Sequence, residues 1–208
     1  MVGAIFLGEG REGKMTKGEE TRQGIIAAAA PLFNQRGFAG CSMGDVMEAT
    51  GLEKGGIYRH FDSKEELAAE ALTYSIRESV RLKLQSVEIG ANALETLRSY
   101  LDRFVTAPSA VAGGCPLLNG AIEYDDGNTA LRAVVRKGFA DWKDRLVAMV
   151  EQGKRERVIR RGTDAEWLAE TIIASMEGAL MLSRIQRSQE PLRHAQRSLE
   201  IVLNSVAV

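Results

Sequence analysis

Residues Ser42 to Leu67, SMGDVMEATGLEKGGIYRHFDSKEEL, constrain the fold more than any other stretch of the chain. Ser42 and Asp45 form a Ser-x-x-Asp start signal, in which side-chain oxygens take up the N–H groups that a first helical turn leaves unbonded. Val46 and Met47 give the short helix its apolar positions, and Ala49 lets a neighbour come close. Gly51 suits the left-handed conformation that ends a helix and reverses the chain. A second short helix is predicted over 53–61, with Ile57 and Phe61 four apart on its buried side and Lys54, Tyr58, Arg59 and His60 facing elsewhere. Ser63 and Glu66 then predict a capping box for a third helix. Helix, tight turn and helix with exposed hydrogen-bonding groups is a geometry that fits a DNA major groove.

The surrounding segment, Thr21 to Leu72, closely resembles the DNA-binding domain of TetR/AcrR-family transcriptional regulators. The resemblance rests on residues in order and at matching spacing. They are an apolar first helix ending at Gly37-Phe38, a capped second helix, Gly-x-x-Lys-Gly-x-x-Tyr-x-His-Phe over 51–61, and Ser63-Lys64-x-x-Leu67. It covers about a quarter of the chain; the remainder resembles the family only in being long and helical. The resemblance implies that Tyr58, His60 and Lys64 contact phosphates and that Lys54, Gly55 and Gly56 meet base edges. Lys54 can donate to guanine O6 and N7. Arg59 can serve a phosphate or a base, and Ser42 completes the candidate DNA-binding set. Many relatives carry Thr or Ser at the position of Gly56, which here lacks a hydroxyl and lowers helix propensity by about 1 kcal/mol relative to Ala.

Composition agrees with an all-α chain: only 4 of 208 residues are proline, and no segment alternates as a strand does. No apolar run approaches the roughly 20 residues that span a bilayer. The start, MVGAIFLGEGREGK, lacks a basic leader and a cleavage site, so a cytoplasmic protein is expected, with Met15 an alternative start. The 2 cysteines, Cys41 and Cys115, are too few for a disulfide framework and lack metal-ligand spacing. Net charge is -1, so a few well-placed donors, rather than bulk positive charge, must hold DNA.

Three regions are expected: a flexible arm over 1–20, the helix-turn-helix domain over 21–66, and a helical ligand-binding and dimerisation domain over 67–208. In the last, Leu94, Leu97, Leu101 and Phe104 mark one helix. Pro116 suits the start of another, Asn128 and Asp164 read as caps, and Pro191 begins the last. Ala174, Ser175, Gly178 and Ala179 among Ile172, Ile173, Met176, Leu180 and Leu182 give a helix apolar nearly all round. The resemblance implies a homodimer built from the last two helices, a palindromic operator, and a small-molecule inducer that releases DNA. Candidate ligand-binding residues are Tyr100, Phe104, Cys115, Leu118, Tyr124, Phe139, Trp142 and Met176, with Leu117 beside them; rings with few charges suit an apolar or aromatic ligand.

Cys115 follows two glycines and precedes a Pro-started helix, where the helix dipole favours a thiolate. It reads either as a buried small residue or as a sensor of electrophiles or oxidants, which its Gly-Cys-Pro setting resembles in a subset of these regulators. Glu123, Asp125 and Asp126 have no His or Cys at ligand spacing, His194 has no nucleophile partner, and no phosphate-binding Gly loop is present. No enzyme activity, cofactor, metal or membrane partner is therefore expected. The expected function is a ligand-responsive regulator, most simply a repressor. The alternative is a helical ligand-binding or scaffolding protein whose head has lost DNA affinity.

Overall fold

A computed structural model describes residues 15–84 and 87–208. Among these residues the chain is all-α, with helices α1 (Lys17–Gly40), α2 (Met43–Thr50), α3 (Lys54–Tyr58), α4 (Lys64–Leu84), α5 (Ala93–Thr106), α6 (Pro116–Tyr124), α7 (Thr129–Arg155), α8 (Ala165–Gln186) and α9 (Glu190–Val206). No described helix is long and apolar enough to cross a membrane. Of the arm expected over 1–20, residues 1–14 lie outside the described residues, and residues 17–20 belong to α1. The reason is a capping box: the Thr16 N–H donates to Glu19 Oε2 at 2.7 Å and Thr16 Oγ1 accepts from Glu19 N–H at 3.3 Å.

The described residues fall into two compact units. One comprises residues 15–81 and 109–139; the other comprises 82–84, 87–108 and 140–208. The first unit therefore reaches beyond the boundary expected at residue 66 and includes α6. In it, Ile25, Ile26, Ala29, Ala30 and Phe33 of α1 are buried, as are Val46, Ile57, Phe61, Leu67, Ala68 and Ala71. α1 packs against α2 and α6, and α2 against α3. Pro31 sits inside α1 and removes one helical donor.

Local chemistry sets the turn of the head. Ser42 and Asp45 make the expected capping box, and Gly51 closes α2 at φ 66°. α3 is shorter than the predicted 53–61. Gly55 and Gly56 lower its propensity, Glu53 caps it without a side-chain bond, and after Tyr58 the chain closes through His60 and Phe61 N–H bonds to the Ile57 carbonyl. The Ser63 and Glu66 box is offset by one residue: Ser63 Oγ accepts from Glu66 N–H, but the Glu66 carboxylate accepts from Asp62 N–H at 2.7 Å.

In the second unit α9 packs on α8 and α5. Arg98 joins α5 to α9 by donating to Glu200 at 3.2 Å and to Asn204 at 2.8 Å. Glu156 accepts from the Ala93 N–H at the start of α5, where a carboxylate also meets the positive end of the helix dipole. The Ile159 and Ala207 bridge fastens the end of the chain. Asn92 and Asp164 cap α5 and α8.

Phe61 is 2% exposed and carries the Arg22 guanidinium 4.5 Å above its ring. Phe61→Ala is expected to destabilise the protein by about 3–5 kcal/mol, through lost burial and the cavity left behind. Equilibrium urea unfolding measures it.

Candidate nucleic-acid interface

Ile57 and Phe61 anchor α3, and the opposite face is left to solvent. Lys54, Gly55, Tyr58 and Arg59 are exposed, with Tyr58 at 39%, while Gly56 and His60 are partly covered. The Lys54 ammonium stands 5.7 Å above the Tyr58 ring, so the two side chains form one projecting pair. A Cβ built on Gly55 meets nothing within 4 Å, and one on Gly56 meets only Leu52 at ordinary contact distance. The helix backbone is thus open at the positions expected to approach bases.

Other candidates are already engaged within the protein. The Ser42 hydroxyl belongs to the α2 cap. Lys64 Nζ donates to the Phe38 carbonyl at 2.6 Å and lies 4.2 Å from the Phe38 ring centroid. An ammonium has three donors, so Lys64 keeps capacity for a phosphate, but its removal also unfastens Phe38. Arg22 donates to Glu66, Glu70 and the His60 carbonyl, and Arg36 to Asp45 at 2.6 Å. Those two arginines therefore add little free positive charge. The Arg22 guanidinium is held still more firmly protonated, chiefly by its hydrogen bonds to Glu70.

The candidate ligand residues divide between the units. In the second unit Tyr100, Phe104 and Trp142 come together: Trp142 Nε1–H donates to Tyr100 Oη at 2.7 Å, and the Phe104 and Trp142 rings stack 6.1 Å apart. Met176 is fully buried in the same unit. Where rings with few charges are expected, the cluster carries a cation. The Lys83 ammonium lies 3.6 Å from the Phe104 ring centroid and 5.6 Å from that of Trp142, a cation–π contact that position 83 gave no hint of. In the first unit Cys115 and Tyr124 are buried, and Leu118 and Phe139 are partly covered. Burial, and next the adjacent Glu123 carboxylate, push the Tyr124 phenol well above its ordinary value. A cleft of about 20 Å³ between α1, α4 and α6, lined by Phe33, Asn34, Ser75, Asn119, Glu123 and Tyr124, has room for about one water. Among the described residues no group of His, Cys, Asp and Glu could hold a metal ion.

The order of a capped α2, a left-handed Gly51 and a buried-base α3 coincides with what comparison finds. Residues 25–71 match the bacterial regulatory proteins of the tetR family, and residues 93–199 match the tetracyclin repressor-like C-terminal domain. The chain belongs to the TetR family of transcriptional regulators. A TetR regulator from Chloroflexus aurantiacus is 42% identical and superposes with TM-score 0.86, covering 93% of this chain and 98% of that one. A TetR-family regulator from Cytophaga hutchinsonii is 34% identical with TM-score 0.88, covering 94% and 99%. The transcriptional repressor DhaR from Mycobacterium sp. is 26% identical over 82% of this chain and 86% of its own length. This TetR-family protein is a transcriptional regulator with a helix-turn-helix DNA-binding domain, not an enzyme.

Two outcomes test this geometry. Gly55→Ala has space for its methyl and is expected to stabilise the head by about 0.5–1 kcal/mol, read by urea unfolding. The Asp45 carboxyl is held below its ordinary value of 3.8, first by the Ser42 hydroxyl and backbone N–H and then by Arg36. A depressed carboxyl stabilises the fold above its unfolded value, and that contribution is lost as pH falls through the folded value. Wild type and Asp45→Asn are therefore expected to differ in melting temperature at neutral pH and to converge only as pH falls below 3.8 and through the depressed folded value.

Proposed function

We propose that this TetR-family regulator is a cytoplasmic, homodimeric repressor that binds a near-palindromic operator and leaves it when a small molecule or modification of Cys115 alters the body. The observation that carries the reading is α3, where buried Ile57 and the following Phe61 leave Lys54 and Tyr58 exposed together with Arg59 at the C-cap. Tyr58, His60 and Lys64 serve phosphates, and Lys54 with the open Gly55 and Gly56 backbone serves base edges.

Support for a dimer comes from α8 and α9, which expose Trp167, Met181, Leu182, Ile185 and Ile201, with Ile185 at 75% and Ile201 at 71%. A Cβ on Gly178 meets nothing within 4 Å, leaving backbone that a second helix can approach. Exposed apolar side chains on two adjoining helices suit a self-complementary twofold interface. Two heads then read successive major grooves. For the inducer, the buried Tyr100, Phe104 and Trp142 cluster offers ring faces, and Cys115 at the cap of α6 offers a thiol.

A gel shift on the DNA immediately upstream of the protein's own gene, with excess unrelated DNA, tests the core of the reading. A discrete, competition-resistant complex is expected; failure there and in unbiased operator selection would leave a helical ligand-binding protein with a vestigial head. Tyr58→Ala is expected to weaken the complex about tenfold with an unchanged melting temperature, since the ring is not in the core. Ile185→Glu is expected to convert a dimer to a monomer in analytical ultracentrifugation, and a persistent dimer would place the interface elsewhere. Cys115→Ser is expected to bind operator normally yet resist release by an electrophile.

A further inference from the structure

In an uninterrupted α1 the Asn34 carbonyl would accept from the Phe38 N–H, its partner four residues on. Gly37 prevents this, because its dihedrals (φ 72°, ψ 173°) are not helical and turn the Phe38 peptide away. Both halves of the broken bond are met by one face of α6. Asn119 Nδ2 donates to the Asn34 carbonyl at 3.1 Å, and the Phe38 N–H donates to Glu123 Oε1 at 2.6 Å. Residues 119 and 123 are four apart, so they lie one above the other on the helix. The fit is close: a Cβ on Gly37 would stand 2.6 Å from Glu123 Oε1. Lys64 takes the Phe38 carbonyl at 2.6 Å, so this one residue is held at its N–H by a carboxylate and at its C=O by an ammonium. Asn34 and Asn119 extend the same network to the Ala112, Gly113 and Gly114 carbonyls just before Cys115.

Phe38 lies four residues before the Ser42 cap of α2. Whatever fixes its peptide fixes the direction in which the chain enters α2, and hence the pose of α3. We infer that Asn119 and Glu123 of α6 are positioning residues for DNA recognition, acting by replacing the hydrogen bond that α1 loses at Gly37. The inference rests on the DNA-binding reading above and assigns to α6 a direct hold on the helix-turn-helix entry. A shift of α6 by the length of a hydrogen bond releases the Phe38 N–H and the Asn34 carbonyl together. Because Glu123 is exposed, the carboxylate contributes to orientation more than to global stability.

The test uses the full chain and three variants, Glu123→Ala, Glu123→Gln and Gly37→Ala, with amide hydrogen exchange, operator affinity and thermal melting as readouts. In wild type the Phe38 amide is expected to be protected although it lies outside the helical ladder. Glu123→Ala is expected to speed its exchange about tenfold, as loss of a charge-assisted bond implies, while the Val46 and Ile57 amides keep their rates. The same variant is expected to bind operator about fivefold more weakly at an unchanged melting temperature, with Glu123→Gln, which retains an acceptor oxygen, restoring most of the loss. Gly37→Ala should weaken binding at least as much as Glu123→Ala, since its methyl displaces the carboxylate and its φ of 72° strains any residue but glycine. An unprotected Phe38 amide in wild type, or Glu123→Ala exchange and affinity equal to wild type, would overturn the proposal. A loss of affinity that follows melting temperature and is not rescued by Gln would overturn it in favour of a purely structural role. If wild type binds no operator, the DNA-binding reading itself fails and the positioning role fails with it, whereas the exchange data still report the grip on Phe38.

Discussion

A helix can end by running out of propensity or by being broken at one residue while its partners supply what the break exposes. α1 takes the second course at Gly37, and the rest of the head depends on it. The left-handed glycine turns the chain so that Phe38 stacks beside Phe33, with ring centroids 6.4 Å apart. The chain then passes the buried Cys41 to reach the Ser42 cap. Backbone groups freed at such a break are costly unless paired. Here side chains from α4 and α6 pair them, so that α1, α4 and α6 are tied around one residue.

Above that junction the head is organised by a small number of buried anchors. Ile57 and Phe61 fix α3 from below, and Arg22 covers the Phe61 ring while pairing with Glu66 and Glu70 of α4. Burying each large apolar side chain contributes about 1.5–3 kcal/mol, far more than the exposed ion pairs add. This division leaves a five-residue helix, weak by propensity and doubly glycine-bearing, held by its neighbours rather than by itself. Its outward side chains are consequently free of any structural duty. Lys64, at the start of α4, differs from them in that its ammonium also holds the Phe38 carbonyl.

Much of this was legible in the sequence because local rules governed it. The Ser42, Asn128 and Asp164 caps, the Gly51 reversal and the Pro116 helix start all sit where the residue types demand. The family resemblance likewise rested on short-range spacing. What the sequence concealed is long-range. Nothing local in Glu123, read as one of three acids near a helix end, pointed to an N–H 85 residues earlier. Lys83 over Phe104, Arg22 on Phe61 and the retention of Pro31 inside α1 are also products of tertiary packing. The length of α3 was overestimated because apolar spacing was given more weight than two consecutive glycines. The candidate ligand residues were chosen by type, and the structure gathers Tyr100, Phe104 and Trp142 while placing Cys115 and Tyr124 in the other unit.

The internal pairing of Arg22 and Arg36 has a consequence on the scale of the genome. Attraction to arbitrary DNA grows with the number of phosphates a protein neutralises and the counterions it thereby sets free. A head that spends two of its arginines on its own carboxylates has fewer cations left for any backbone it meets. Bulk chromosome then sequesters a smaller share of the copies, and the free pool stays larger for a given number of molecules. Occupancy of a true site is governed more by the contacts made only there, and a copy that leaves is not promptly retained by the flanking duplex.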